Sequence, residues 1–376
     1  MDMRRHRLRE VSHLFTLLSL ALLLGAASAC TAPSAPASFD KSSDSAASAT
    51  STSATGQQIS KTALSPTAVP SLPSSQQGKR VQATGLEVYH LATWWKPAPD
   101  GRLDLPRAVA VDGAGNVYVA DNGNHRVQKF AYDGRFLGKW GSLGNADGQF
   151  FAPQGIAVDG AGNVFVADSG NNRIQRFSAD GRFLGKWGSR GGADGEFDEP
   201  LGVAVDGQGN VFVTDSGNNR VQKFSADGRF QGKWGSGGSA DGDLDMPLGI
   251  AVDGQGNVLV GELRNGRVQK FSSDGRFLGK WGSRGKADGQ FSEPWGIAVD
   301  EAGNVFITDN MTNRIQKFNS DGRFQDKWRL PNDADGQTHT PLGIAVDGAG
   351  NVFVTDVGTS RIQRFSSDGR LQDKWG

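Results

Sequence analysis

The chain has a single cysteine, Cys30, only five histidines and no excess of either charge. One cysteine leaves no intramolecular disulfide to stiffen a fold and no cysteine-rich zinc module. Lysine plus arginine and aspartate plus glutamate stand at 40 each. There is therefore no overall positive field to gather a phosphate backbone, and no nucleic-acid partner is expected. No Gly-x-Ser-x-Gly elbow, phosphate-binding loop or His-Glu-x-x-His pair occurs, so the common signatures of serine hydrolases, nucleotide-binding enzymes and helical zinc proteases are missing. Helical periodicity is absent after the first few dozen residues. What the chain has in quantity is glycine, 53 residues, much of it in Asp-Gly pairs of the kind that turn one short strand into the next. These features predict an all-β protein.

The N-terminus reads as an export signal over residues 1–29. Arg4, Arg5 and Arg7 form a basic start, and the apolar run from Leu14 to Ala27 is too short to span a bilayer comfortably. It stops at Ala27-Ser28-Ala29-Cys30, which places Cys30 where a bacterial lipoprotein carries its lipidated residue. Ala27 stands where the best lipoprotein signals have leucine, and Ala-Ser-Ala also suits ordinary signal cleavage, so secretion is the alternative to a lipid anchor. Residues 30–80 are dominated by Ser, Ala, Thr, Pro and Gln with Phe39 the sole aromatic. Such a segment cannot bury enough apolar surface to offset its ordering entropy, and a disordered tether is expected. It would span on the order of 40 Å between its ends. The expected location is outside the cytoplasm, at the outer face of the cytoplasmic membrane or the cell surface, with membrane contact through the lipid alone.

Internal repetition decides the rest. Asp112, Asp159, Asp206, Asp253, Asp300 and Asp347 recur at a constant spacing of 47 residues. Each unit carries four strand-like runs, which is the make-up of a propeller blade. In the second unit the expected strands are Gly155 to Val158, Asn163 to Ala167, Arg173 to Phe177 and Arg182 to Trp187. Asp159-Gly160-Ala161-Gly162 and Ala179-Asp180-Gly181 supply the positive-φ positions of tight turns. Six tryptophans (Trp140, Trp187, Trp234, Trp281, Trp328 and Trp375) share one repeat position, and six phenylalanines from Phe130 to Phe365 share another. A large aromatic in the same place six times predicts packing between blades. The fold expected over 106–376 is a six-bladed β-propeller of four-stranded antiparallel blades, with 81–105 forming an N-terminal closing or seam strand.

The run Val119-Ala120-Asp121 followed by Asn124-His125-Arg126-Val127-Gln128-Lys129-Phe130 resembles the NHL-repeat signature, and the likeness extends over about 106 to 376. The resemblance implies a propeller fold. It specifies activity poorly, because the family as a whole includes protein-binding and RNA-binding modules, extracellular sensors and a peptide-amidating lyase.

In an up-and-down blade the a–b and c–d turns emerge on one face and the b–c and d–a loops on the other. The repeated Asp-Gly turns fall on the first face and the variable segments on the second, which is the expected recognition surface. Candidate ligand-binding residues there are Arg107 and Gln154 and Trp295, each following a linker proline, with Glu262 and Arg264 from the divergent fourth unit and Asn310 and Met311 from the fifth. The expected function is a binding scaffold for a protein, peptide or glycan, acting as a monomer. The alternatives are a propeller enzyme, either a metal-dependent lyase or lactonase-like, with its site at the channel mouth, and a sensor or passive surface protein. For the enzyme, His125 and His339 are the residues available to Zn²⁺, which is a thin supply. Asp-Gly turns such as Asp112 to Asn116 hint at Ca²⁺ but lack the spaced oxygen ligands of a calcium loop. No cofactor is expected. The Asp-Arg pairs of the repeat, Asp121 with Arg126 and its equivalents, are expected to be structural.

Overall fold

A computed structural model of the chain describes residues 98–331 and 339–376, together with the short paired strands Gln82–Ala83 and Leu86–Glu87. The signal and tether, Cys30, His90 and most of the expected seam strand lie outside the described residues.

Six four-stranded antiparallel sheets follow one another along the chain. In the first blade the strands are a, Pro106–Val111; b, Val117–Asp121; c, Arg126–Phe130; and d, Phe136–Trp140. The other five begin at Pro153, Pro200, Pro247, Pro294 and Pro341. Each starts two residues earlier than the glycine-led strand anticipated from sequence. Proline lacks an amide hydrogen but is tolerated as the first residue of a strand, and Pro153 indeed pairs with Asp168 across the blade. The a strands of neighbouring blades pack side by side around a central channel, with the sixth against the first, so the ring is closed.

Burial explains the uniformity of the middle strands. In the second blade Val164, Phe165, Val166 and Ala167 are fully buried, because both faces of strand b are covered by adjoining sheets. Each of the five internal interfaces is completed by an aromatic pair, with the Trp140 ring 5.9 Å from Phe177 and the Trp187 ring 5.8 Å from Phe224. Full burial of one such phenylalanine is worth roughly 2–3 kcal/mol.

The seam between the sixth blade and the first uses contacts that also occur at internal interfaces. Arg364 donates to Tyr132 O at 2.9 Å, as Lys129 donates to Ala179 O at 3.1 Å. Thr355 donates to Arg107 O at 3.3 Å, as Thr214 donates to Leu248 O. Residues 98–105 form the linker into the first blade, where Leu103 joins the seam core with Phe353, Ile362 and Trp375. No strand is exchanged across the seam among the described residues, because all four strands of each blade come from one continuous segment.

Candidate functional site

Beneath the b–c and d–a loops, each blade holds a buried carboxylate hub. Asp121 is fully buried; it accepts from the Asp104 amide at 2.7 Å, Arg126 Nε at 2.7 Å and Gln128 Nε2 at 2.8 Å. The Arg126 and Gln128 side chains in turn donate to the carbonyl of Arg102 in the linker. The hub thus ties the d–a linker to strands b and c. Burial pushes the carboxyls of Asp121, Asp168 and Asp215 upward, opposed by these hydrogen bonds. In the fourth blade Glu262 occupies the same position, fully buried, with Arg267 Nε at 2.5 Å and Asn265 Nδ2 at 2.6 Å. Its carboxylate is taken up inside the blade and is not presented on the loop face.

The sixth blade departs from this pattern. His339, almost fully buried, places Nδ1 2.6 Å from Asp356 Oδ2, and Asp356 also accepts from Gln363 and Thr359. An imidazole has therefore moved in beside the carboxylate that guanidinium groups serve elsewhere, and Arg361 at the usual arginine position is more exposed than its counterparts.

His125 has a different task. It adopts a left-handed backbone, φ 51°, and its Nδ1 accepts the amide of Ala152 in the next linker at 3.1 Å. Asn172 and Asn219, one and two repeats on, accept the amides of Glu199 and Met246 in the same way, and Ser360 does so for Leu105 at the seam. Burial lowers the His125 imidazole to about 4. Neutral imidazole suits the role, since Nδ1 must carry a lone pair to accept. His125 and His339 thus serve separate structural partners. Among the described residues no three His, Cys, Asp or Glu side chains gather as a metal centre would require. Asp112 likewise spends its oxygens on the Ala114 and Asn116 amides, the Asn116 side chain and Tyr118, which makes its segment a braced hairpin turn.

The channel mouth collects the exceptions to the repeat. In five blades the second residue of strand a lines a cavity of about 80 Å³, namely Arg107, Gln154, Leu201, Leu248 and Trp295, and the sixth blade lines it with Gly343 and Ile344. Arg107 is the one charged residue among the described groups lining the cavity. Its guanidinium carbon lies 5.9 Å from the centre of the Trp295 ring, and its Nε is buried without a hydrogen-bond partner. Burial lowers this guanidinium to about 10, so it remains a cation at neutral pH. Further out on the same face, Met311 is 67% exposed and Phe151, its ring tilted against His125, is 49% exposed. Arg264 pairs loosely with Asp245 at 3.4 Å, and Asn310 donates to Glu293 at 3.1 Å. Arg107, Gln154 and Trp295 are therefore brought together at the channel; Arg264, Asn310 and Met311 are spread over the loops around it. Phe151 was not singled out from the sequence, though the aspartates and serine that replace it in other linkers mark it as unusual.

The NHL repeat profile matches six segments, residues 103–130, 152–177, 197–224, 244–271, 291–318 and 338–365. The chain is an NHL-repeat β-propeller. Comparison with curated proteins finds no sequence match. Among solved structures, this NHL propeller is similar to a streptogramin B lyase, with a TM-score of 0.53 and 18% identity over 74% of this chain and 84% of that one. A gluconolactonase from Xanthomonas campestris aligns with a TM-score of 0.51 and 20% identity over 68% of this chain and 84% of the other. Virginiamycin B lyase from Staphylococcus aureus gives 0.52 and 17%, over 72% and 83%. At these identities the likeness concerns the fold of the NHL propeller.

Proposed function

We propose that this NHL propeller is a binding scaffold that presents its b–c and d–a loop face to a protein, peptide or glycan. One observation carries the reading: residues that build blades recur from unit to unit, whereas Arg107, Gln154, Trp295, Phe151 and Met311 depart from the repeat and share one face. A repeat needs none of these departures to close its ring, because leucine fills the strand-a position in three blades. Exposed apolar side chains on the face that also carries an unpaired cation favour capture of a partner. Export, anchoring through Cys30 and a flexible tether fit this reading, since they would hold the loop face clear of the lipid.

The alternative, a channel-mouth enzyme of the lyase or lactonase kind suggested by the names of its structural neighbours, would need groups poised for proton transfer or metal binding. The roles of His125 as a backbone acceptor and of His339 as partner to Asp356 favour the scaffold instead. The test is capture from a native envelope extract by the immobilised protein. Trp295→Ala and Arg264→Ala should each weaken capture at least several-fold without lowering Tm by more than a few degrees. Capture equal to wild type in both variants would count against the loop face.

A further inference from the structure

The strand-a ring contains a charge that the fold does not use. Arg107 lies in the first blade at the position that Leu201, Leu248 and Leu342 occupy in three others. Leucine satisfies that position with no polar group to solvate, so arginine is not required for closure. The side chain is half-buried and lines the cavity, its Nε is buried with no acceptor, and no carboxylate among the described residues lies within ion-pairing distance of it. A half-buried cation with an orphaned Nε and no anion is an unfavourable arrangement that a folded chain seldom retains without a use. The hub arginines of the first five blades, away from the cavity, are paired with their own carboxylates, as Arg126 is with Asp121 at 2.7 Å.

We infer that the channel mouth of this propeller is a binding site for the carboxylate head of a small organic acid, with Arg107 as its anchor. The inference rests on the reading of the loop face as the binding face, since position 107 opens at the loop end of strand a. Guanidinium offers paired N–H donors whose fork matches the two oxygens of a carboxylate. Gln154 in the adjoining blade brings an amide that can donate a further hydrogen bond. Trp295 and the leucines Leu201 and Leu248 supply apolar walls for the hydrocarbon part of the acid. Size sets the class: about 80 Å³ is room for several waters, and so for an acid of roughly half a dozen non-hydrogen atoms. A larger ligand would seat only a terminal carboxylate there and rest its remainder on the loops.

Butyrate is the probe, with butyramide as its neutral isostere. Thermal shift and titration calorimetry on the full chain should show butyrate raising Tm of the wild type in the millimolar range while butyramide leaves it unchanged. Arg107→Leu should fold at least as stably as wild type without ligand and bind butyrate at least tenfold more weakly. Arg107→Lys should retain partial binding, because it keeps the charge and loses the fork. An equal response to butyrate and butyramide, or unchanged butyrate binding in Arg107→Leu, would overturn the proposal. Running the envelope capture on the same variants separates the two readings. Normal capture that is lost in Arg264→Ala, alongside absent butyrate binding, retires the carboxylate site and leaves the loop face standing; butyrate binding without any capture does the reverse.

Discussion

The indole of Trp375, the penultimate residue, lies against Gly134 in the first blade, so close that a Cβ on that glycine would stand 2.8 Å from the ring. Trp140 lies against Gly181 in the same way, at 2.7 Å, and Trp187 against Gly228. The last blade therefore locks onto the first through the contact that joins every internal pair. Closure is the sixth use of one contact and needs no new device.

Gly134→Ala follows directly. Gly134 has φ +82°, a conformation that costs an L side chain, and the added methyl must also displace the indole. The substitution is expected to destabilise by about 1–3 kcal/mol, read as a lower Tm in thermal unfolding. Gly181→Ala should lose a similar amount. A seam variant much milder than the internal one would mean the ring is not closed in solution as described.

The carboxylate hubs give a second contrast. Removing the carboxylate with Asp215→Ala leaves Arg220 buried without its partner, now 2.7 Å away, and should cost about 3–5 kcal/mol. Asp245→Ala removes the looser, partly exposed pair with Arg264 and should cost less than about 1 kcal/mol. Urea unfolding of both variants checks the ratio, and equal losses would contradict the structural role given to the hub.

His125 makes the protein acid-sensitive over a defined window. Its imidazole is lowered from 6.5 to about 4 by burial, so between those values the unfolded chain binds more protons than the folded one. The stabilisation is fully present above pH 6.5 and is lost as pH falls toward 4. Partial exposure keeps the effect below the roughly 1.4 kcal/mol per unit that a fully enclosed group would give. His125→Asn keeps an acceptor for Ala152, as Asn172 and Asn219 do for their linkers, and should flatten this part of the Tm profile. Parallel profiles for the variant and wild type would show that His125 does not govern it.

Chelation distinguishes the scaffold from a metal enzyme. Because His125 and His339 are engaged with a backbone amide and with Asp356, EDTA should leave Tm and envelope capture unchanged. Stoichiometric metal in the purified protein, released together with a fall in Tm, would contradict that assignment and revive the lyase reading.

The blades were legible because their signal is periodic. Six Asp-Gly turns and six Trp positions at one spacing specify hairpins and packing faces whatever the tertiary detail. The candidate site was legible only in part. Glu262 stands out in sequence as a departure from aspartate, yet a carboxylate on a strand whose both faces are covered points inward like the residue it replaces. His125 could have been recognised as a stand-in for asparagine by its register with Asn172 and Asn219; what it accepts from could not, since Ala152 belongs to the next blade. The isolation of Arg107 is likewise invisible in sequence, because an absent partner is a property of the closed channel and not of neighbouring residues.

Site-specific crosslinking tests the central division between a building face and a binding face most directly. A photoreactive residue placed at Met311, exposed on the loop face, is compared with one at Ala114, exposed on the a–b turn of the opposite face, in native envelope extract. A discrete adduct from position 311, competed by unlabelled protein and absent from position 114, is the expected result. Adducts of equal yield from both positions, or from position 114 alone, would contradict it.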